Sequence, residues 1–202
     1  MRWDSLFDDL ESQLEWERSA EDLELRAEEE RLRLGRLSLR DRLIGIGPDE
    51  SSGRPAGTAV RLILRSGRTV SVLPTTFGRD WIAADLVRAH GVPGGCIIPL
   101  SGIASVLLAA DDVERSLSVR EPVQRGPRIT DRIGLPFVLR DLCRRRSYVT
   151  VCDSTGHVGG TLDRVARDHV DVAVHPRGTP RRASEVTQIR IVALAGIELV
   201  EL

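Results

Sequence analysis

Mainly β, with a helical N-terminus and two tandem small antiparallel barrels each preceded by a short helix, is the fold class that three features of this 202-residue chain predict. The stretch RDWIAADLVRAHGVPGGCIIPLSGIASV, residues 79–106, returns as RDHVDVAVHPRGTPRRASEVTQIRIVALAGIELV, residues 167–200. PLSGIASV and ALAGIELV match in spacing, and the second copy carries six extra residues between the anchors. A repeat of this size marks one supersecondary unit used twice. A shorter pair extends it: LRDRL at Leu39 resembles LRDLC at Leu139, each ahead of its own copy's strands. The segments in between alternate apolar and polar residues and are punctuated by Gly, Pro and Ser, the pattern of short strands and turns. The predicted organisation is an acidic helical arm over 1–35, a first barrel unit over 36–110, a linker over 111–129 and a second barrel unit over 130–202.

The arm begins with Trp3, Leu6, Phe7, Leu10 and Leu14 at helical spacing, one apolar stripe over four turns. Beyond Glu17 the stripe thins among acids and Arg. Asp22–Arg26 and Glu29–Arg33 are oriented favourably at i,i+4, whereas Glu11–Glu15 repel. The heptad lasts about two repeats, short of the three or four a coiled coil needs, so a solvated arm is favoured over a dimerising coil.

Gly35 allows a break, and a short helix follows from Ser38, with Asp41 at capping-box-like spacing. A polar loop, GPDESSGRPAGT, leads to the first strands. AVRLILR, TVSVL, WIAADLV, CIIPL and IASVLL read as five strands, with turns at Ser66-Gly67, Pro74–Gly78, Gly91–Gly95 and Ser101-Gly102. The last link is too short for a normal crossover, which suggests a small, strongly bent barrel. Ile82, Ala84 and Leu86 share one face of the third strand, and Trp81, Ala83 and Asp85 the other. Residues 111–130 are polar with two Pro and read as linker. A helix over about 130–146 opens the second unit. YVTVCD, HVGGTLDRV, HVDVAVH, IRIVAL and IELVEL then repeat the strand order, with Gly156 placed to need a positive φ in its turn.

Composition narrows the function classes. Hydrophobic content is 41%, charged 29% and aromatic only 3%, so the cores are built from Val, Leu, Ile and Ala. The chain has no Lys and no Asn, a bias of a GC-rich genome, so Arg abundance alone says little about nucleic acid. Net charge is −1, yet residues 1–35 carry twelve acids against five Arg while 115–182 carry fourteen Arg against seven acids. Cys96, Cys143 and Cys152 lack CxxC spacing and sit in apolar contexts, as small buried hydrophobes do. The N-terminus is acidic rather than basic-then-apolar and no run is long enough to span a bilayer, which points to a cytoplasmic protein.

No nucleophile elbow, zincin motif or phosphate loop occurs, so no catalytic, cofactor-binding or metal residue is assigned and no cofactor is expected. His169, Asp171 and His175 would share the face of a strand opposite Val170, Val172 and Val174, with His157 nearby in sequence. Their favoured role is the polar outer face rather than a metal site. Gly159-Gly160 opens a strand, not a helix, and offers no phosphate cradle. The candidate nucleic-acid residues are Arg144, Arg145, Arg146, Arg164, Arg167, Arg177, Arg181 and Arg182, an Arg set of the second unit. Arg144–Arg146 also end a helix, where positive charge suits the dipole. Stacking aromatics in this half are limited to Phe137 and Tyr148, which weakens a single-strand platform.

The run VTVCDSTGHVGGTLDRVARDHVDV resembles the first motif of the Sm-like family: a strand, a Gly turn, a G-x-L strand and an Asp-led strand. IVALAGIELV resembles the second motif, two strands about a very short turn. The resemblance covers about 130–202 and, more weakly, 36–108, and implies duplicated Sm-like or SH3-like small barrels. In that family an Arg or Lys before the Gly of the second motif helps to hold RNA. Here the positions are Ser101-Gly102 and Ala195-Gly196, so that contact does not carry over. The whole chain is also similar to actinobacterial proteins labelled Fis-family transcriptional regulators, although no helix-turn-helix pattern is present. The expected function is a non-catalytic binding or regulatory module acting through protein–protein contacts or self-association of its barrels and arm. The alternative is nucleic-acid binding by the Arg-rich second unit. Neither a membrane nor a small-molecule substrate is indicated.

Overall fold

The computed structural model describes residues 3–47, 59–88, 94–118 and 129–202, with side chains of the first helix described at Trp16, Arg18 and from Glu21 onward. The side chains of the apolar stripe from Trp3 to Leu14, residues 48–58, residues 89–93 and residues 119–128 of the linker therefore lie outside the described residues. The chain forms two compact units, Met1–Ser38 and Leu39–Leu202.

The first unit is a single 33-residue helix, α1 (Trp3–Gly35). Its described surface is held by short i,i+3 ion pairs, Arg31–Glu28 at 3.3 Å and Arg33–Glu30 at 2.6 Å. Leu23, Leu25 and Leu32 are exposed on it.

The second unit is built from one strand pattern used twice. Its first half comprises α2 (Leu39–Ile46), β1 (Val60–Leu64), β2 (Thr69–Phe77), β3 (Trp81–Leu86), β4 (Gly94–Pro99), β5 (Ile103–Leu107) and α3 (Ala110–Leu117). The second half comprises α4 (Leu135–Arg145), β6 (Tyr148–Asp153), β7 (Gly156–Val165), β8 (His169–Val174), β9 (Gln188–Ala193) and β10 (Leu199–Glu201). All ten strands join one antiparallel sheet in the order β5-β1-β2-β3-β4-β10-β6-β7-β8-β9. Each half contributes the same internal order, and β4–β10 pairing joins them.

The sheet is open: β4 and β5 do not pair with one another, and neither do β9 and β10. A three-residue 3-10 turn, Leu100–Gly102, sends β5 to the far edge beside β1, and Leu194–Gly196 does the same for β10 beside β6. The duplication reaches down to the bulges. One interrupts β2–β3 between Pro74 and Thr76, and another interrupts β7–β8 between Leu162 and Arg164, at equivalent registers. A bulge adds a residue, bends the strand and keeps it paired. That is why β2 runs on through Pro74 to Phe77, where a turn was expected.

Two apolar cores lie along the sheet. Leu62, Val72, Ile82 and Ile98 pack with Leu43 and Ile46 of α2, and Val149, Leu162, Val170 and Val172 pack with Leu135 and Leu139 of α4. The predicted linker starts with a helix instead: α3 occupies 110–117, ahead of both Pro, with Asp111 and Asp112 in its first turn against the dipole. It packs on α2, where Arg42 donates to the buried Ser116 hydroxyl at 2.8 Å. The helix expected from about 130 starts later, at Leu135 with Pro136 in its first turn, and ends on Arg146 in the left-handed conformation (φ 53°). Among the described residues no helix is long and apolar enough to cross a membrane.

Gly156 has φ +136°, and a Cβ there would meet nothing within 4 Å. Replacing it with Val therefore tests backbone strain alone. Gly156→Val is expected to cost about 1–3 kcal/mol and to lower the melting temperature; an unchanged melting curve would contradict the tight β6–β7 turn.

Candidate interaction surface

The seam between the halves shows what the edges of this sheet can do. At β10–β4 the register places Val200 opposite Ile97 and Glu201 opposite Cys96, and the Leu202 amide donates to the Gly95 carbonyl at 2.9 Å. The cores interlock across it. Leu199 and Cys152 of the second half join the first core, while Trp81 and Ile97 of the first half join the second. Gly102 sits against the other half so closely that a Cβ would lie 2.7 Å from Glu198 Cα. Charged groups rim the contact: Glu201 accepts from Arg68 at 3.0 Å and from Arg88 at 2.6 Å. Burial works against the Arg68 charge, but Glu201 and Cys152 together outweigh it and raise the Arg68 pKa. The repeat anchor Arg79-Asp80 is used here too. The Arg79 amide donates to the Ile133 carbonyl at 3.0 Å, Asp80 Oδ1 accepts from the Leu135 amide at 2.8 Å, and Trp81 Nε1 donates to Ile133 at 2.9 Å.

Among the described residues two edges remain unpaired at the ends of the sheet, β5 and β9. A free edge presents a row of backbone donors and acceptors and is a template for a further strand. Both edges also carry apolar side chains in solvent: Leu107 is 38% exposed, Ile189 49% and Ile191 68%. In sequence these residues read simply as strand residues, because alternation reports a buried face and says nothing of whether an edge is partnered.

The eight candidate Arg are only partly gathered. Arg144, Arg146, Arg164 and Arg181 line one groove of about 670 Å³ with Cys143, Thr161, Leu162, Asp163, Asp171 and Ile189. Arg145, Arg167, Arg177 and Arg182 are not among its lining residues. Several of the set are tied to acids. Arg144 and Arg145 both reach Asp141 at 2.6 Å, Arg181 pairs with Asp163 at 2.5 Å, and Arg164 approaches Asp171 at 3.7 Å. Hydrogen bonds from Arg144, with the charge of Arg145, hold the Asp141 carboxyl below the usual range. Arg177 stands 5.4 Å over the Tyr148 ring.

The histidines do not converge. His175 is buried, 4% exposed, not on the outer face where the alternation placed it. Its Nδ1 lies 3.1 Å from the Pro176 carbonyl and its Nε2 shares a hydrogen bond of 2.9 Å with the Thr161 hydroxyl. The β8 strand ends at Val174, so His175 has left the strand's alternation. His169 and Asp171 are partly exposed and His157 is exposed. No group of three His, Cys, Asp or Glu could hold a metal ion among the described residues. Gly159 and Gly160 serve packing: a Cβ would fall 2.2 Å from the Tyr148 hydroxyl and 2.0 Å from the Ala173 carbonyl oxygen. The cysteines are free, and burial pushes the Cys96 thiol up to about 12, so it stays protonated at neutral pH.

Comparison with protein families, curated proteins and solved structures finds no match for this chain.

Proposed function

We propose that this protein is a non-catalytic cytoplasmic binding or regulatory module, built from two barrel-like units of common ancestry that resemble Sm-like domains, and that it works through protein–protein contacts along its free sheet edges. The observation that carries this reading is the pairing state of β5 and β9: two edges unpaired among the described residues and bearing exposed Leu107, Ile189 and Ile191. Strand addition gives affinity through main-chain hydrogen bonds and specificity through alternate side chains. The second reading is nucleic-acid binding in the groove of Arg144, Arg146, Arg164 and Arg181. Acids lie against three of those four Arg, Arg144, Arg164 and Arg181, and offset part of the charge, which favours the first.

A photo-crosslinker in place of Ile191, activated in cells producing the full chain, is expected to give protein adducts that are absent with the crosslinker in place of the turn residue Ser66. In parallel, the purified chain is expected to bind generic RNA and duplex DNA weakly even at low salt. Tight binding with a steep salt slope, lost on combined Arg144→Ala, Arg146→Ala, Arg164→Ala and Arg181→Ala substitution, would replace the first reading with the second.

A further inference from the structure

We infer that the β9 edge of one copy of this chain pairs with the β5 edge of another, in the register that the molecule already uses at its internal seam. The inference rests on the reading of the free edges as contact surfaces and names their partner. The internal duplication supplies the argument. In the repeat, β9 is the counterpart of β4 and β10 the counterpart of β5. The β4-type edge of the first half is taken by the β10 strand of the second. What remains unpaired is therefore one edge of each kind, β9 and β5, and these complement one another as β4 and β10 do.

Individual residues bear the marks of that missing contact. The pairings Ala83↔Ile97 and Asp171↔Ile191 make Ile97 and Ile191 equivalent. Ile97 is 3% exposed because the second half covers it, whereas Ile191 is 68% exposed. The glycines give an independent sign. Gly102 admits no side chain, because Glu198 backbone of the other half lies against it. Its counterpart Gly196 has nothing within 4 Å of a Cβ and no positive φ, so nothing among the described residues requires glycine there. The counterpart of Glu198 is Ala104, exposed near the start of β5. A second copy that brings Ala104 against Gly196 would give that glycine the close approach Gly102 already has. The repeat anchor follows the same rule: Arg79-Asp80 binds the second half, while its counterpart Arg167-Asp168 is exposed.

Transferring the seam register places Val106 opposite Ile191 and Leu107 opposite Arg190. The contact is heterologous, edge of one kind to edge of the other, so it is not limited to a dimer. It is also more polar than the internal seam, since His169, Asp171 and Arg190 stand where the first half has Trp81, Ala83 and Cys96. The association is therefore reversible and dependent on concentration.

Sedimentation of the purified full chain over a range of concentrations tests this. Species heavier than the 22.3 kDa chain are expected, growing with concentration. Ile191→Arg blocks β9, and Leu107→Arg puts like charge opposite Arg190; each variant alone is expected to stay monomeric. Mixed, the two variants retain one intact edge of each kind and are expected to form a two-chain species. Leu107→Glu, which copies Glu201, is expected to strengthen association, and Gly196→Val to abolish it with an unchanged melting curve for the monomer. Substitution at these solvent-facing positions leaves the cores intact. A wild-type chain that is monomeric throughout would overturn the inference. If the crosslinker at position 191 still captured another protein, the reading of the edges as contact surfaces would survive that failure. Persistent association of either blocked variant alone would overturn it also, by showing a like-to-like contact.

Discussion

Deleting Leu199–Leu202 is expected to unfold both halves of the sheet together, not the second half alone. Leu199 and Val200 are each fully buried, but in different cores: Leu199 in the first, Val200 in the second. Burial of two such side chains contributes about 1.5–3 kcal/mol apiece, and a domain of this kind has only about 5–15 kcal/mol in total. The deletion would also strip the partner strand from both β4 and β6 and remove the Arg68–Glu201–Arg88 contact. Denaturant unfolding followed by circular dichroism should show one cooperative transition for the full chain and a severely weakened or absent one for the deletion. A first half that kept its midpoint would show that the seam does not couple the cores.

Gly102→Val is the second large effect. Its Cβ would fall 2.7 Å from Glu198 Cα and 2.9 Å from the Glu198 carbonyl oxygen, both backbone atoms that cannot swing aside. Overpacking of this kind costs about 1–3 kcal/mol. Gly196→Val occupies the equivalent corner with open space around it, so its effect on monomer stability should stay within about 0.5 kcal/mol. The pair of variants separates steric exclusion at the seam from any common backbone preference of the two 3-10 turns. Equal losses at both sites would assign the cost to the turn and not to the contact.

These two residues also show where sequence reading stopped. All ten strands were legible, with only β2 running four residues farther than expected, because alternation, Gly turns and matched spacing are local. Trp81, Ala83 and Ile97 escaped it, since alternation assigns one buried face per strand and here the second face is covered by the other half. Glu198 is buried although its position in IELVEL reads as a solvent-facing one. No local pattern reports that β4 will pair with β10. The polar, Pro-containing composition of 111–129 also gave no sign of α3, because both Pro lie beyond the helix. Of the Arg set, charge balance alone could not reveal that Asp141, Asp163 and Asp171 engage Arg144, Arg145, Arg181 and Arg164.

The seam joins partners about a hundred residues apart, Ile97 and Val200. At a synthesis rate of roughly 5–20 residues per second, β4 waits about 5–20 s for the strand that completes it. Through that interval the nascent first half displays β4 and β5 as a matched pair of unpaired edges on the same ribosome-bound chain. Neighbouring ribosomes on one message would then hold such edges close together, so the rate at which β10 arrives, set against the local density of nascent chains, decides between the proper seam and a strand borrowed from the next polypeptide.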